Sequence, residues 1–331
     1  MAKNMRRNKS TTIYRSLLRE AFSVTWHRKS LWIFGIFAGL ISTGGVVDVT
    51  ISGMRRATET GSFLTNMLDR TFIGYAYASE FIRYLIPISS SQVTPLITVG
   101  TIICVVLIAF GVISQAALIH AAGNPHKHPH EIRRHVLKHF WNILIIDLTT
   151  KIFYLVLTTL LILPVFLFIQ DNGNFASTIL FFHFLIFIPA VIILHIISLL
   201  ALVDVVETNS NALNAIYSAL HVFRKQWLAT LEFGFLLFLI LVIAVFGLLA
   251  TMVLLSIPFG YFNSLVLLVG SPLLFFVMNI ITGLLMIAII LAFGGALVTF
   301  QYSAWRFFYK RATHKTHGIK LFSKLWRMVI D

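Results

Sequence analysis

The chain has 331 residues, of which 58% are hydrophobic and only 11% charged, with a formal net charge of +14. Ordinary soluble domains carry about 25% charged residues, so this composition excludes a soluble globular protein: it lacks the polar surface to cover such a core. The surplus of positive charge has two readings, an acidic or nucleic-acid partner and a membrane protein whose basic loops face the cytoplasm. The basic residues lie between apolar runs and at the two chain ends, which favours the membrane and argues against nucleic acid.

The chain opens with Lys3, Arg6, Arg7, Lys9, Arg15, Arg19, Arg28 and Lys29 before the first apolar run. A basic stretch of this length exceeds the n-region of a secretory leader, and no A-x-A site follows, so the segment is expected to be retained. Ile13–Trp32 reads as an amphipathic helix.

A membrane-crossing helix needs about 20 mostly apolar residues. Six segments meet that length: Leu31–Ile51, Pro95–Ala121, Trp141–Ile169, Phe175–Val203, Leu228–Leu255 and Ser271–Ser303. Leu265–Tyr302 is almost continuously apolar, so the last two spans admit a re-entrant piece around Tyr261–Gly270. The lone cysteine, Cys104, falls inside an apolar run and is expected to be a buried, inert thiol. The domain plan is a basic amphipathic segment over 1–30, a six-span membrane domain over 31–303 and a basic tail over 304–331. The fold class is all-α: a polytopic transmembrane helix bundle with interfacial amphipathic helices.

Of the 26 basic residues, only Arg55, Arg56, Arg70 and Arg83 fall on the side opposite the two termini, and Lys151 falls within a span. That asymmetry places both termini in the cytoplasm and requires an even number of spans. The outer loop, 52–94, carries an amphipathic pattern over Gly61–Ile86, read as a helix on the outer surface or capping the bundle. Its Asp69, Arg70, Glu80 and Arg83 make a spanning role costly.

Three cytoplasmic segments share one pattern of amphipathic helix, basic residues, Trp, then a span. They are Ile13–Trp32, His130–Trp141 with Arg133, Arg134 and Lys138, and Ala212–Trp227 with Arg224 and Lys225. Tryptophan and basic side chains anchor at headgroup level, and the recurrence is compatible with three helix-hairpin repeats. In the tail, Lys320, Lys324 and Arg327 alternate with apolar residues in a second basic amphipathic helix. Anionic inner-leaflet lipid is the expected contact for Arg133, Arg134, Lys138, Arg224, Lys225, Lys320, Lys324 and Arg327.

Ionisable residues inside a bilayer cost at least about 2.5 kcal/mol each at its centre. Asp147 and Lys151, four apart in span three, share a helix face. Asp147 lies six residues past Trp141, and Glu232 five past Trp227, so both sit at similar depth. With His195 in span four they form a candidate substrate or ion pocket open to the cytoplasm. The competing reading is an Asp147–Lys151 pair, with Glu232 bonded to a neighbouring helix. His126, His128, His130, His135 and His139 cluster in one loop. As metal ligands they are weak candidates, because no cysteine or repeated carboxylate completes a site and the surrounding Lys and Arg repel cations. Gly35-Ile-Phe-Ala-Gly39, and the Ala292–Ala296 patch with Gly294 and Gly295, read as close-packing faces. Pro164, Pro189 and Pro258 mark helix breaks or kinks. No P-loop, HExxH, GxSxG or GxGxxG pattern occurs, which disfavours ATP-driven transport and the common hydrolases. No cofactor is implied, and oligomeric state and protein partners are left open.

Three stretches carry a resemblance: Ala21-Phe-Ser-Val-Thr-Trp-His-Arg-Lys-Ser-Leu-Trp-Ile-Phe-Gly35, the run Glu207…Ala212…Ala215…Ser218, and Leu297-Val-Thr-Phe-Gln-Tyr302. Together they resemble a broad set of bacterial six-span proteins similar to the membrane domain fused to some glycerophosphodiester phosphodiesterases. The resemblance implies a bacterial cytoplasmic-membrane protein linked to lipid or envelope processes. The chain holds no phosphodiesterase domain, so that activity is not implied, and no catalytic residue carries over. Two functions follow as expectations: a non-enzymatic lipid-handling or envelope scaffold, and a secondary transporter or channel using Asp147, Lys151 and Glu232.

Overall fold

The computed structural model describes residues 12–41, 90–123, 136–168, 173–270 and 272–314. Among them every regular element is an α-helix: α1 (Thr12–His27), α2 (Leu31–Ile41), α3 (Ser90–Gly123), α4 (Phe140–Phe168), α5 (Gly173–Thr208), α6 (Ala212–Lys225), α7 (Trp227–Val269) and α8 (Pro272–His314). Five of these, α3, α4, α5, α7 and α8, are long and apolar enough to cross a membrane, and α2 is a shorter apolar helix. The first expected span is described only as far as Ile41. Most of the outer loop lies outside the described residues, including the helix expected over Gly61–Ile86. So do His126, His128, His130 and His135, Arg133 and Arg134, and the tail with Lys320, Lys324 and Arg327.

The helices alternate in direction. The start of α2 meets α8, where the Thr299 hydroxyl donates to the Leu31 carbonyl at 3.1 Å. Arg28, just before α2, donates to the Ala121 carbonyl near the end of α3 at 3.1 Å. Asn142 in the first turn of α4 donates to the Ser210 carbonyl after α5 at 3.4 Å. Gln226, between α6 and α7, donates to the Ala312 carbonyl in the last turn of α8 at 3.2 Å. One end of the bundle therefore gathers the starts of α2, α4 and α7 and the ends of α3, α5 and α8. Every Asp, Glu, Lys and Arg among the described residues lies at this end or within a few turns of it. It is called the basic end below.

Packing follows that division. The buried core runs through Val112–Ala122 of α3, Ile196–Val206 of α5 and Phe300–Ala312 of α8. The C-terminal part of α8 is the hub, touching α1, α2, α3, α5 and α7. The remote parts of α7 and α8 present Ile243, Phe246, Val253, Leu254, Leu273 and Phe276 outward. An apolar exterior is stable only against hydrocarbon.

The two glycine patches meet each other. Gly35 of α2 lies against Gly295 of α8, so a Cβ on Gly35 would collide with the Gly295 carbonyl, and one on Gly295 with the Trp32 carbonyl. The helices approach backbone to backbone, the geometry small residues permit. Gly294, one position along, has open space where its side chain would go. Gly111 of α3 takes the Ile41 side chain and the Phe37 carbonyl of α2 into the space a side chain of its own would fill.

Several elements depart from the sequence expectation. Residues 261–269 continue α7 as helix, so there is no re-entrant piece; Gly270, at φ +67°, makes the turn and Pro272 opens α8. That left-handed φ suits glycine, and the missing amide of proline costs nothing in a first turn. Pro189 and Pro258 lie inside continuous helices rather than at breaks. α8 does not stop at Ser303: Ala304, Trp305, Phe308, Tyr309 and Ala312 face the core and draw the helix on. Cys104 is exposed on α3 rather than buried, among the outward residues Ile103, Val105 and Val106; its apolar neighbourhood is outside the protein. Near the α7–α8 turn, Asn263 donates to Asn279 across the hairpin at 3.4 Å. Ser264 and Thr282 donate to their own helix carbonyls at 2.9 and 2.8 Å, so these two hydroxyls are satisfied within the helix.

Gly35→Leu and Gly295→Leu are expected to abolish recovery of monodisperse folded protein in detergent, since each displaces backbone rather than a side-chain tip, at more than about 3 kcal/mol. Gly294→Ala should leave the size-exclusion profile unchanged.

Candidate functional site

The basic end holds three polar assemblies. The first is built on Asp204, in the last turns of α5 and 2% exposed. Its carboxylate accepts from Ser210 at 2.8 Å, from Ser218 of α6 at 3.3 Å and from the hydroxyl of Tyr309 of α8. One carboxylate thereby ties α5, α6 and α8. Asn209, at φ +55°, turns the chain so that Ser210 folds back; asparagine tolerates that region. α6 then lies flat through its small face of Ala212, Ala215 and Ala219. Three hydroxyl donors committed to one carboxylate make a clamp rather than an activated nucleophile.

One turn along, Glu207 pairs with Arg306 of α8. Arg306 is 4% exposed and lies over Gly123 at the end of α3, where a Cβ would strike its guanidinium. Arginine suits this position because its planar fork keeps its charge and meets a carboxylate through two nitrogens. Asp204 and Glu207, three apart, share one face of α5, and Arg306 and Tyr309 share one face of α8.

The second assembly joins α3, α4 and α8. Asp147 is buried and hydrogen-bonded by Gln115, with Lys151 acting on it electrostatically. Gln115 also bonds the hydroxyl of Tyr302. Asp147 Oδ2 and Gln115 Oε1 are both buried without a partner. Thr150 donates to Ser198 at 3.0 Å and Tyr154 to the Val191 carbonyl at 3.3 Å, fixing α4 against α5.

The third joins α1, α7 and α8. Tyr14 of α1 donates to Glu232 of α7 at 3.2 Å. Its ring leans on Phe233 at 5.9 Å, which stacks on Phe308 at 4.6 Å and meets Trp305 edge-on at 5.3 Å. Half-burial first, and the Glu232 carboxylate second, push the Tyr14 phenol above its ordinary range. The raised value means this contact stabilises at neutral pH and is lost as pH climbs past the ordinary tyrosine range and on through the folded-state value.

Of the four expected pocket residues, Lys151 acts on Asp147, while Glu232 is bound to Tyr14 of α1. Asp147 is buried beside Gln115 and Tyr302; Glu232 is exposed and bound to α1; Lys151 and His195 are partly buried on α4 and α5. The reason is helical phase. Asp147 follows its tryptophan by six residues and Glu232 by five, and one residue rotates a side chain by about 100°. The position of α7 matching Asp147 is Phe233, which is buried. No Asp147–Lys151 ion pair forms among the described contacts; the Asp147 hydrogen bond goes to α3 instead. Of the histidine cluster, only His139 is described, 2% exposed at the start of α4. Among the basic residues expected to touch lipid, Lys138, Arg224 and Lys225 are described, and all three are exposed.

Sequence reasoning missed Asp204, Arg306 and Tyr309. The available signal was the pairing of spacings, ionisable or hydroxyl residues three apart at the same end of two apolar helices. Comparison with family models, with curated proteins and with solved structures finds no match for this chain.

Arg306→Leu leaves Glu207 without its partner and should cost about 3–5 kcal/mol, read as a lowered unfolding midpoint in detergent. Tyr309→Phe removes one donor from Asp204 and should cost about 1–3 kcal/mol by the same measurement. In an ultraviolet titration, Tyr14→Phe should reduce the late-ionising phase by one tyrosine without abolishing it.

Proposed function

We propose that the protein is a non-enzymatic multi-pass protein of a bacterial cytoplasmic membrane that gathers anionic lipid around its basic end and acts there as a lipid-handling scaffold. Both chain ends face the cytoplasm in this reading, as the asymmetry of basic residues requires. The observation that carries it is the rim of the basic end. Trp26, Trp141 and Trp227 are 56%, 70% and 55% exposed. Each stands where a helix enters the bundle, beside exposed or half-exposed cations: Arg28 and Lys29, Lys138, and Arg224 and Lys225. An exposed indole is favoured at headgroup level, apolar below and wet above, and nearby cations favour phosphate.

The helices α1 and α6 support the same reading. They bury small or slender faces, Leu17, Ala21 and Thr25 in α1, and Ala212, Ala215 and Ala219 in α6. They turn outward Phe22 in the one and Leu213 and Tyr217 in the other. Exposed apolar residues on short helices flanked by cations are the composition of interfacial helices. Lys29 lies 5.9 Å from the Trp26 ring centre, within cation–π range. The transporter reading rests on a shared pocket of Asp147, Lys151, Glu232 and His195; Glu232 is exposed and bonded to Tyr14, which favours the scaffold reading over it.

Reconstitution into vesicles of zwitterionic lipid with a minor fraction of brominated anionic lipid tests the proposal through tryptophan quenching. The brominated anionic lipid should quench more strongly than brominated zwitterionic lipid at the same fraction. Replacing Arg28, Lys29, Lys138, Arg224 and Lys225 with Gln should lower the preference by several-fold for each cation removed, at about 1 kcal/mol per cation. Equal quenching by the two lipids would overturn the reading, and a proton or cation flux abolished by Glu232→Gln would restore transport.

A further inference from the structure

The three corners of the basic rim are not built alike. At the α1–α2 corner both cations are held in place. The half-buried Arg28 donates from one guanidinium nitrogen to the Ala121 carbonyl of α3 at 3.1 Å. The ammonium of Lys29 stands 5.9 Å from the Trp26 ring centre. At the other two corners the side chains of Lys138, Arg224 and Lys225 are exposed and make no hydrogen bond, ion pair or ring contact to another described residue. A cation already fixed gives up less rotamer freedom when a ligand arrives.

Beside the held cations runs a row of rings. Phe22 and Trp26 stack at 5.9 Å with their planes 12° apart, and Trp26 meets Trp32 at 6.4 Å. The Trp32 indole donates to the Thr25 carbonyl at 2.9 Å, a bond from α2 back to α1 that locks the last ring across the turn. Phe22 and Trp26 are both more than half exposed, so the row is an open wall rather than part of the core.

We propose that the α1–α2 corner is a discrete site for one anionic phospholipid, with its phosphate on Arg28 and Lys29 and its glycerol and upper acyl region along Phe22, Trp26 and Trp32. The proposal rests on the lipid reading of the basic end and goes beyond it by assigning one lipid to one corner. A guanidinium carries five N–H donors, so the bond to Ala121 orients Arg28 and leaves donors for phosphate oxygens. Aromatic rings that are apolar below and wet above match the glycerol level of a lipid. Carboxylates do not crowd the cations. α2, α3 and α8, which enclose the corner, contain no Asp or Glu. The one acidic residue of α1, Glu20, lies eight positions before Arg28, about 12 Å along the axis. Glu207 of α5 is engaged by Arg306.

Native mass spectrometry of the full chain in mild detergent, titrated with phosphatidylglycerol and in parallel with phosphatidylcholine, counts lipids bound per protein. Wild type should take up one phosphatidylglycerol ahead of any others, with no such first step for phosphatidylcholine. Arg28→Gln with Lys29→Gln should weaken that step by about tenfold or more. The combined variant Lys138→Gln, Arg224→Gln and Lys225→Gln should keep it. Lys29→Glu leaves the Arg28–Ala121 bond in place and carries the test if the double variant does not fold: it should lose the first step, and an unchanged step would overturn the site. Equal losses in the two sets of variants, or uptake without a distinct first step, would overturn the corner site while leaving the lipid-gathering rim standing. No preference of wild type for phosphatidylglycerol over phosphatidylcholine would overturn both.

Discussion

Gly35 and Gly295 bring α2 and α8 together backbone to backbone, and the basic end is organised around that contact. With no side chain on either residue, the Trp32 and Gly295 carbonyls come within reach of the opposing helix. Thr299, one turn beyond Gly295, then donates at once to its own helix and to the Leu31 carbonyl of α2. In a bilayer, lipid is as apolar as leucine, so burial of apolar surface does not drive helices together. Close dispersion contact and hydrogen bonds replace it. Setting α2 this near α8 also brings α1 against the end of α8, where Arg311 donates to Ser16 at 2.8 Å.

The same limitation explains why polar residues crowd the basic end and leave the remote halves of the helices almost purely apolar. Where water and headgroups are near, a charged side chain can be desolvated in part and repaid by a partner, as Glu207 does for Arg306. α8 supplies the partner in most of these contacts: Thr299 to α2, Tyr302 to α3, Arg306 and Tyr309 to α5. It is the helix on which the others are registered. Away from that end, the few polar groups turn back to their own helix or to each other across the α7–α8 hairpin.

The sequence carried much of this plan, and the failures have identifiable causes. Hydrophobic run length located the five described long helices, because the bilayer imposes a minimum on every one. The glycine patches in the first and last runs were legible as packing faces, though not as partners of each other, since pattern within a helix says nothing about which helix lies opposite. Depth from the tryptophan anchors was readable, but azimuth was not. That one-residue difference sent Asp147 inward and Glu232 outward. Asp204, Arg306 and Tyr309 were hidden because, in one dimension, a buried charge at the end of an apolar run looks like a cytoplasmic one just outside it. The run was cut at Ser303 on composition, whereas packing extends α8 beyond it.

Helices α7 and α8 are each 43 residues long, roughly 64 Å at about 1.5 Å per residue, and 40 residues of α7 form one predominantly apolar stretch. Hydrocarbon in a typical bilayer is about 30 Å thick. A straight apolar rod of twice that length fits only if it leans about 60° from the normal, well outside the usual range of about 0–40°. The surrounding membrane must therefore share the mismatch with the hairpin, thickening or deforming where the Gly270 turn lies. The hairpin would then act on the thickness of its own patch of membrane as much as the membrane acts on it.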